Sequence, residues 1–109
     1  MAALVTAADL PESPLDAAAQ FHAAIVPVIR EKLAEATEIV VHFGPAEHSH
    51  RAWRLAAIQE LAREAAPVRV NGVVGPEGEG AHAVMRFLEN APGITGQLLA
   101  VDGKSGEIG

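Results

Sequence analysis

The stretch PVRVNGVVGP, residues 67–76, sets Asn71 among valines in a run too short for a helix, and the run stops at Gly75-Pro76. Short apolar runs rich in β-branched residues and closed by Gly-Pro read as buried strands. Such a strand tolerates an amide only when the amide finds partners, because an unpaired buried polar group costs about 1–3 kcal/mol. Asn71 is therefore expected to bond the backbone of a neighbouring segment near the carboxyl end of a sheet and to serve structure. Asn71→Leu would then strand a partner.

Working outward, Ala3 to Ala7 is a short apolar run read as a buried strand, followed by a loop and a helix start near Ser13-Pro14. From Leu15 to Ala36 the apolar positions Ala18, Phe21, Ile25, Val28, Ile29 and Leu33 follow helical spacing, with Pro27 on the polar side, where it removes a backbone bond and bends the helix. Glu38 to Phe43 is a second buried strand ending at Gly44-Pro45. Ser49 to Ala66 is a second helix with a core stripe of Leu55, Ile58, Leu61, Ala62 and Ala65. The third strand is Val68 to Val74. The loop GPEGEG then leads to a short helix with Val84, Phe87, Leu88 and Ala91 on one face, and Gln97 to Val101 is the last strand.

The order βαβαβαβ, with near-continuous apolar strands, predicts an α/β fold in three layers: a four-stranded parallel sheet, truncated Rossmann-like, covered by helices on both sides. Right-handed crossovers moving in one direction predict consecutive strand order, with the first two helices on the same face. The 109 residues form one domain, with a flexible tail from about residue 103 to residue 109.

Composition narrows the function classes. The formal charge is −6 and the Lys and Arg residues are not clustered, which argues against nucleic acid. The chain has no Cys, so neither a disulfide framework nor a thiolate metal site is expected. MAALVTAADLPESP shows no positively charged leader and no membrane-length apolar run, so a soluble cytoplasmic protein is the expectation.

From Leu61 to Gly103 the chain reads LAREAAPVRVNGVVGP and then HAVMRFLENAPGITGQLLAVDG, and this resembles the C-terminal half of a short-chain dehydrogenase/reductase. That family shows a helix ending in an alanine-and-glutamate segment, a strand with an RVN motif, a Pro-Gly turn and a close ending in Asp-Gly-Gly. Asn71 belongs to that motif, and Asp102-Gly103 closes the pattern with one glycine. FHAAIVPVI and ALVTAA resemble upstream pieces of the same family. The resemblance implies a Rossmann fold, and it also exposes departures. The family binds a dinucleotide through glycines after the first strand, where the backbone must approach the pyrophosphate; here that region reads ALVTAADLPESP. The family's chemistry runs on a tyrosine and a lysine four residues later, whereas this sequence has no Tyr and the matching region reads HSHRAWRL. No cofactor and no catalytic residue are therefore assigned.

Among other candidates, His48 and His50 could be combined with Glu47 or the Glu77–Glu79 loop around a metal. Histidines one residue apart rarely face one ion, and EHSH reads as a solvated helix start. His42 reads as a satisfied core histidine near the carboxyl end of its strand, and His22 and His82 have no assigned role. Glu77 and Glu79 in GPEGEG would repel phosphate. Ser49, Thr95 and Ser105 lack the context of a hydrolytic nucleophile.

Two functional readings follow. The favoured one is a non-catalytic short-chain-dehydrogenase-like protein acting as a homo-oligomer or interaction partner. The other is a small-molecule or nucleotide binder, or weak oxidoreductase, using the carboxyl edge of the sheet near Ala7, Gly44 and Gly75. On a wheel of about 100° per residue, Trp53 points about 160° from Leu55 and is surplus to a sheet-facing stripe. With Ala57, Val26 and Leu33 it is expected to form a homodimer contact through the first two helices, so Trp53→Glu should dissociate the oligomer.

Overall fold

The computed structural model describes residues 2–101. The tail, with Asp102-Gly103 and Ser105, lies outside the described residues. Strands β1 (Ala2–Ala7), β2 (Glu38–Phe43), β3 (Arg69–Val74) and β4 (Leu98–Ala100) form one parallel sheet in the order β1-β2-β3-β4. Helices α1 (Pro14–Gln20), α2 (Val26–Lys32) and α3 (Arg51–Ala65) lie on one face, and α4 (Glu79–Glu89) covers the other. The α/β class, the consecutive strand order and the shared face of the first two helical units are as the apolar pattern implies.

Local chemistry sets each element. Ser13 is the N-cap of α1, its hydroxyl accepting from the Asp16 backbone N–H, and Pro14 occupies a first-turn position that needs no N–H donor. Between α1 and α2 the rod passes through a π-helical turn, Phe21–Ile25, in which the Val26 N–H reaches back five residues to the Phe21 carbonyl. Pro27 is the physical reason. It has no N–H for the carbonyl of Ala23 and its ring crowds that carbonyl, so the helix widens by one residue ahead of it and then resumes. The second helix likewise starts later than its spacing implies, because His48–His50 form a 3₁₀ turn before α3 begins at Arg51.

The strands β2 and β3 alternate between two apolar layers. On the α1–α3 side, Val5, Ile39, Val41, Phe43 and Val70 meet Phe21, Ile29, Ile58 and Leu61. On the α4 side, Val40 and Val73 meet Ala81, Val84 and Leu88. Two expectations fail on this second layer. Phe87 is 46 % exposed, because α4 turns Val84 and Leu88 to the sheet and leaves Phe87 outside. The first strand is not buried on both faces: Leu4 is 48 % exposed and Thr6 is exposed, because the cluster under α4 draws only on β2, β3 and the end of the chain.

Asn71 is fully buried in the middle of β3, opposite Val40. Its Nδ2 donates to the Ile94 carbonyl at 3.0 Å, and its Oδ1 accepts from the Gln97 N–H at 3.0 Å. The expected backbone partners are there, but they lie amino-terminal to β4, whose ladder with β3 starts only at Gly72. Thr95 Oγ1 accepts from the Val70 N–H, and the Gly96 N–H donates to the Val70 carbonyl, so the segment entering β4 is held by the Asn71 and Thr95 side chains together with a backbone bond, ahead of the regular strand pairing.

Gly72 shows how closely α3 lies on the sheet. A Cβ there would meet Leu98 Cδ1 at 2.7 Å, Ile58 Cγ1 at 3.1 Å and Phe43 Cε2 at 3.2 Å. Leu98 could yield, but the other two belong to the packed layer, so Gly72→Ala is expected to destabilise by about 1–3 kcal/mol in urea melts. No loss of stability would mean that α3 is free to lift from β3.

Across the outside of α2 and α3, Arg30 holds Glu64 with two hydrogen bonds, Nε to Oε2 at 2.9 Å and Nη2 to Oε1 at 2.7 Å. The hydrogen bonds from Arg30, chiefly, hold the Glu64 carboxyl below its ordinary range; desolvation opposes them, and the charge of Arg30 adds to the lowering. A depressed carboxyl contributes its stabilisation above its unfolded-state pKa and loses it as pH falls through the folded value. The difference between wild type and Glu64→Gln is therefore expected at neutral pH, shrinking as pH drops below the ordinary carboxylate range. A difference independent of pH would show that the pair contributes nothing.

Candidate functional site: a cleft at the carboxyl edge of the sheet

Parallel strands all end on one side, and in open α/β sheets ligand sites form beyond those ends. Here the ends of β1, β2 and β3, the loop 8–13 and the start of α3 enclose a cleft of about 940 Å³. Among the described residues lining it, Arg54 is the only Lys or Arg, set against four acids: Asp9, Glu12, Glu47 and Glu77. Ala7, Gly44 and Gly75, expected to mark a ligand edge, all line this cleft or its floor.

Two histidines line it and both are tied into the structure. His42 lies on β2 and donates from Nε2 to the Gly75 carbonyl at 2.9 Å, as a satisfied core histidine should. His50 is buried and is not a solvated helix start. Its Nε2 donates to the Glu12 carbonyl at 2.8 Å, and its Nδ1 accepts from Trp53 Nε1 at 3.0 Å. The indole nitrogen has only a proton to give, so in this arrangement Nδ1 of His50 is the acceptor and Nε2 the donor. The 3₁₀ turn performs this inversion by swinging His50 under the 8–13 loop. His48 stays exposed, and no group of three potential metal ligands forms among the described residues. His22 bonds its own helix through the Ala18 carbonyl, and exposed His82 faces a smaller groove between α4 and the first strand.

Arg54 is the residue that sequence reasoning missed. Only 6 % of it is exposed, although it sits in the first turn of a helix. Its Nη1 donates to the Gly44 carbonyl at 3.0 Å and its guanidinium carbon lies 4.7 Å from the centre of the Phe43 ring. Its buried Nε finds no acceptor, and no carboxylate pairs with it among the described residues. Burial pushes the guanidinium below its ordinary pKa, yet it stays charged at any workable pH. The legible signal was HRAWRL itself, an Arg at a position where the helix turns inward.

The residues assigned to a dimer contact are placed differently. Ala57 and Val26 are buried in the chain's own core, and Leu33 packs partly against it. Trp53 is half-buried, 5.5 Å from Phe21 and 5.9 Å from Phe43 between ring centres. The wheel took the sheet as the only surface covering α3. The α1–α2 rod lies beside α3 on the same face, so the buried arc extends round the flank through Ala57 to Trp53. Trp53→Glu is therefore expected to unsettle the fold itself.

No helix among the described residues is long and apolar enough to cross a membrane. No curated protein and no solved structure matches the chain. Comparison with protein-family models matches the short chain dehydrogenase-like protein family over residues 5–101, nearly all of the described fold. With its parallel Rossmann-like sheet and the RVN strand at its centre, the chain belongs to this SDR-like family.

Proposed function

We propose that this SDR-like chain is a non-catalytic binding protein that holds a small molecule in the cleft at the carboxyl edge of the sheet. The observation that supports this most is the state of the two histidines lining the cleft. His50 has both ring nitrogens committed, and His42 spends Nε2 on the Gly75 carbonyl, so the groups best suited to proton transfer near neutral pH are serving the fold. The chain has no Tyr and no Cys to take their place. What remains is a concave space lined by a buried guanidinium and several carboxylates, suited to recognition.

The test is a thermal-shift panel of small polar metabolites, NAD and NADP at millimolar concentration, beside an assay for oxidation of reduced dinucleotide with carbonyl substrates. A metabolite that raises the melting point by several degrees, with no turnover, is the expected result. Dinucleotide turnover above the buffer rate would overturn it.

Self-association remains a second reading, now on other residues. Leu15, 84 % exposed, and half-exposed Val28 lie on the α1–α2 rod. Sedimentation velocity at tens of micromolar decides it: a wild-type monomer, or a Leu15→Glu variant that stays dimeric, removes this contact.

A further inference from the structure

We infer that the cleft is built for a zwitterion, a small aminocarboxylate whose carboxylate meets Arg54 and whose ammonium meets the acidic rim; this rests on the binding function proposed for the same cleft. A buried guanidinium without an anion is an expensive feature, since a buried charge is ordinarily paired. Arg54, which lines the cleft, uses Nη1 on the Gly44 carbonyl, and its Nε–H is without an acceptor among the described residues. The guanidinium fork matches a carboxylate in geometry and charge.

The surroundings select among anions. Asp9, Glu12, Glu47 and Glu77 line the same cleft and are exposed to solvent. Against one cation, these four acids leave the site net negative, which repels a phosphate dianion or a dinucleotide pyrophosphate. A carboxylate alone would gain from Arg54 and lose at the rim. A ligand carrying a carboxylate and an ammonium gains from both, and its net charge of zero meets no overall repulsion.

A matched series tests this by titration calorimetry and amide chemical shifts: β-alanine, 4-aminobutyrate and 6-aminohexanoate, the corresponding acids lacking the amine, and the corresponding amines lacking the carboxylate. At least one aminocarboxylate is expected to bind at least tenfold more tightly than its acid and its amine, with shifts at Gly44 and Gly75. Arg54→Met should weaken it at least tenfold, and Glu47→Gln with Glu77→Gln should erase its advantage over the acid. If Arg54→Met does not fold by circular dichroism, Arg54→Lys, which keeps the charge without the fork, is expected to give a smaller loss. Acids that bind as tightly as the aminocarboxylates would overturn the zwitterion and leave the binding function standing, as would a different class of metabolite shifting the same amides. An Asp102→Asn variant that destabilises the chain only when Arg54 is present would show that the anion is the chain's own, and would also overturn it. If no compound of any class perturbs the cleft, both fall.

Discussion

Replacing Arg69 with Met is expected to lower the unfolding free energy by about 3–5 kcal/mol, because it leaves the Glu38 carboxylate buried without its cation. Glu38 opens β2 with 1 % of its surface exposed, and its Oε2 lies 2.7 Å from Arg69 Nη1 on the neighbouring strand. The contact is one of charge, without hydrogen-bond alignment, since neither Glu38 oxygen has a hydrogen-bond partner among the described residues. The carboxylate therefore depends on Arg69 for most of its compensation. Arg69 also donates to the carbonyls of Leu88 and Ala91, at 3.1 and 3.2 Å, and so ties the carboxyl end of α4 to the sheet. A domain of this size has only about 5–15 kcal/mol to lose. Urea melts followed by circular dichroism measure the effect. The double variant Arg69→Met, Glu38→Leu should recover much of it, since removing both charges removes the stranded one. A single variant as stable as wild type would show that Glu38 is neutral or hydrated in the folded state.

Asn71→Leu is expected to cost about 2–6 kcal/mol, because it strands two backbone groups, the Ile94 carbonyl and the Gln97 N–H, at about 1–3 kcal/mol each. The loss should be local before it is global. Residues 94–97 lead into β4, and β4 pairs with β3 over only Gly72 to Val74, so the last strand should detach first. Hydrogen exchange checks this: the Gly72, Gly96 and Val101 amides, which donate across this junction, should lose protection ahead of the β2 amides. A uniform change across all strands, or none, would mean that Asn71 is replaceable by shape alone.

Much of the fold is legible without coordinates because a parallel sheet needs apolar strands on both faces, and EIVVHF and VRVNGVV state that need in short runs closed by Gly-Pro. The start of the first helix is legible for the same local reason, Ser13 capping and Pro14 following. The π-helical turn was only half legible: Pro27 announces a disturbance, while its form depends on how the backbone ahead of it relaxes. Trp53 was misread because a helical wheel contains one helix, whereas the α1–α2 rod supplies a second surface beside α3. His50 and Arg54 were misread or missed because polar residues at a helix start are solvated unless a distant loop closes over them, and the loop carrying Glu12 lies 38 residues away in the chain. Strand type, order and the need for an Asn71 partner follow from short-range pattern, so the sequence by itself determined them. The pairing of Glu38 with Arg69, the committed histidines and the buried guanidinium in the cleft, without a carboxylate among the described residues, were decided only by tertiary structure, since burial of a charge depends on what the rest of the chain places over it.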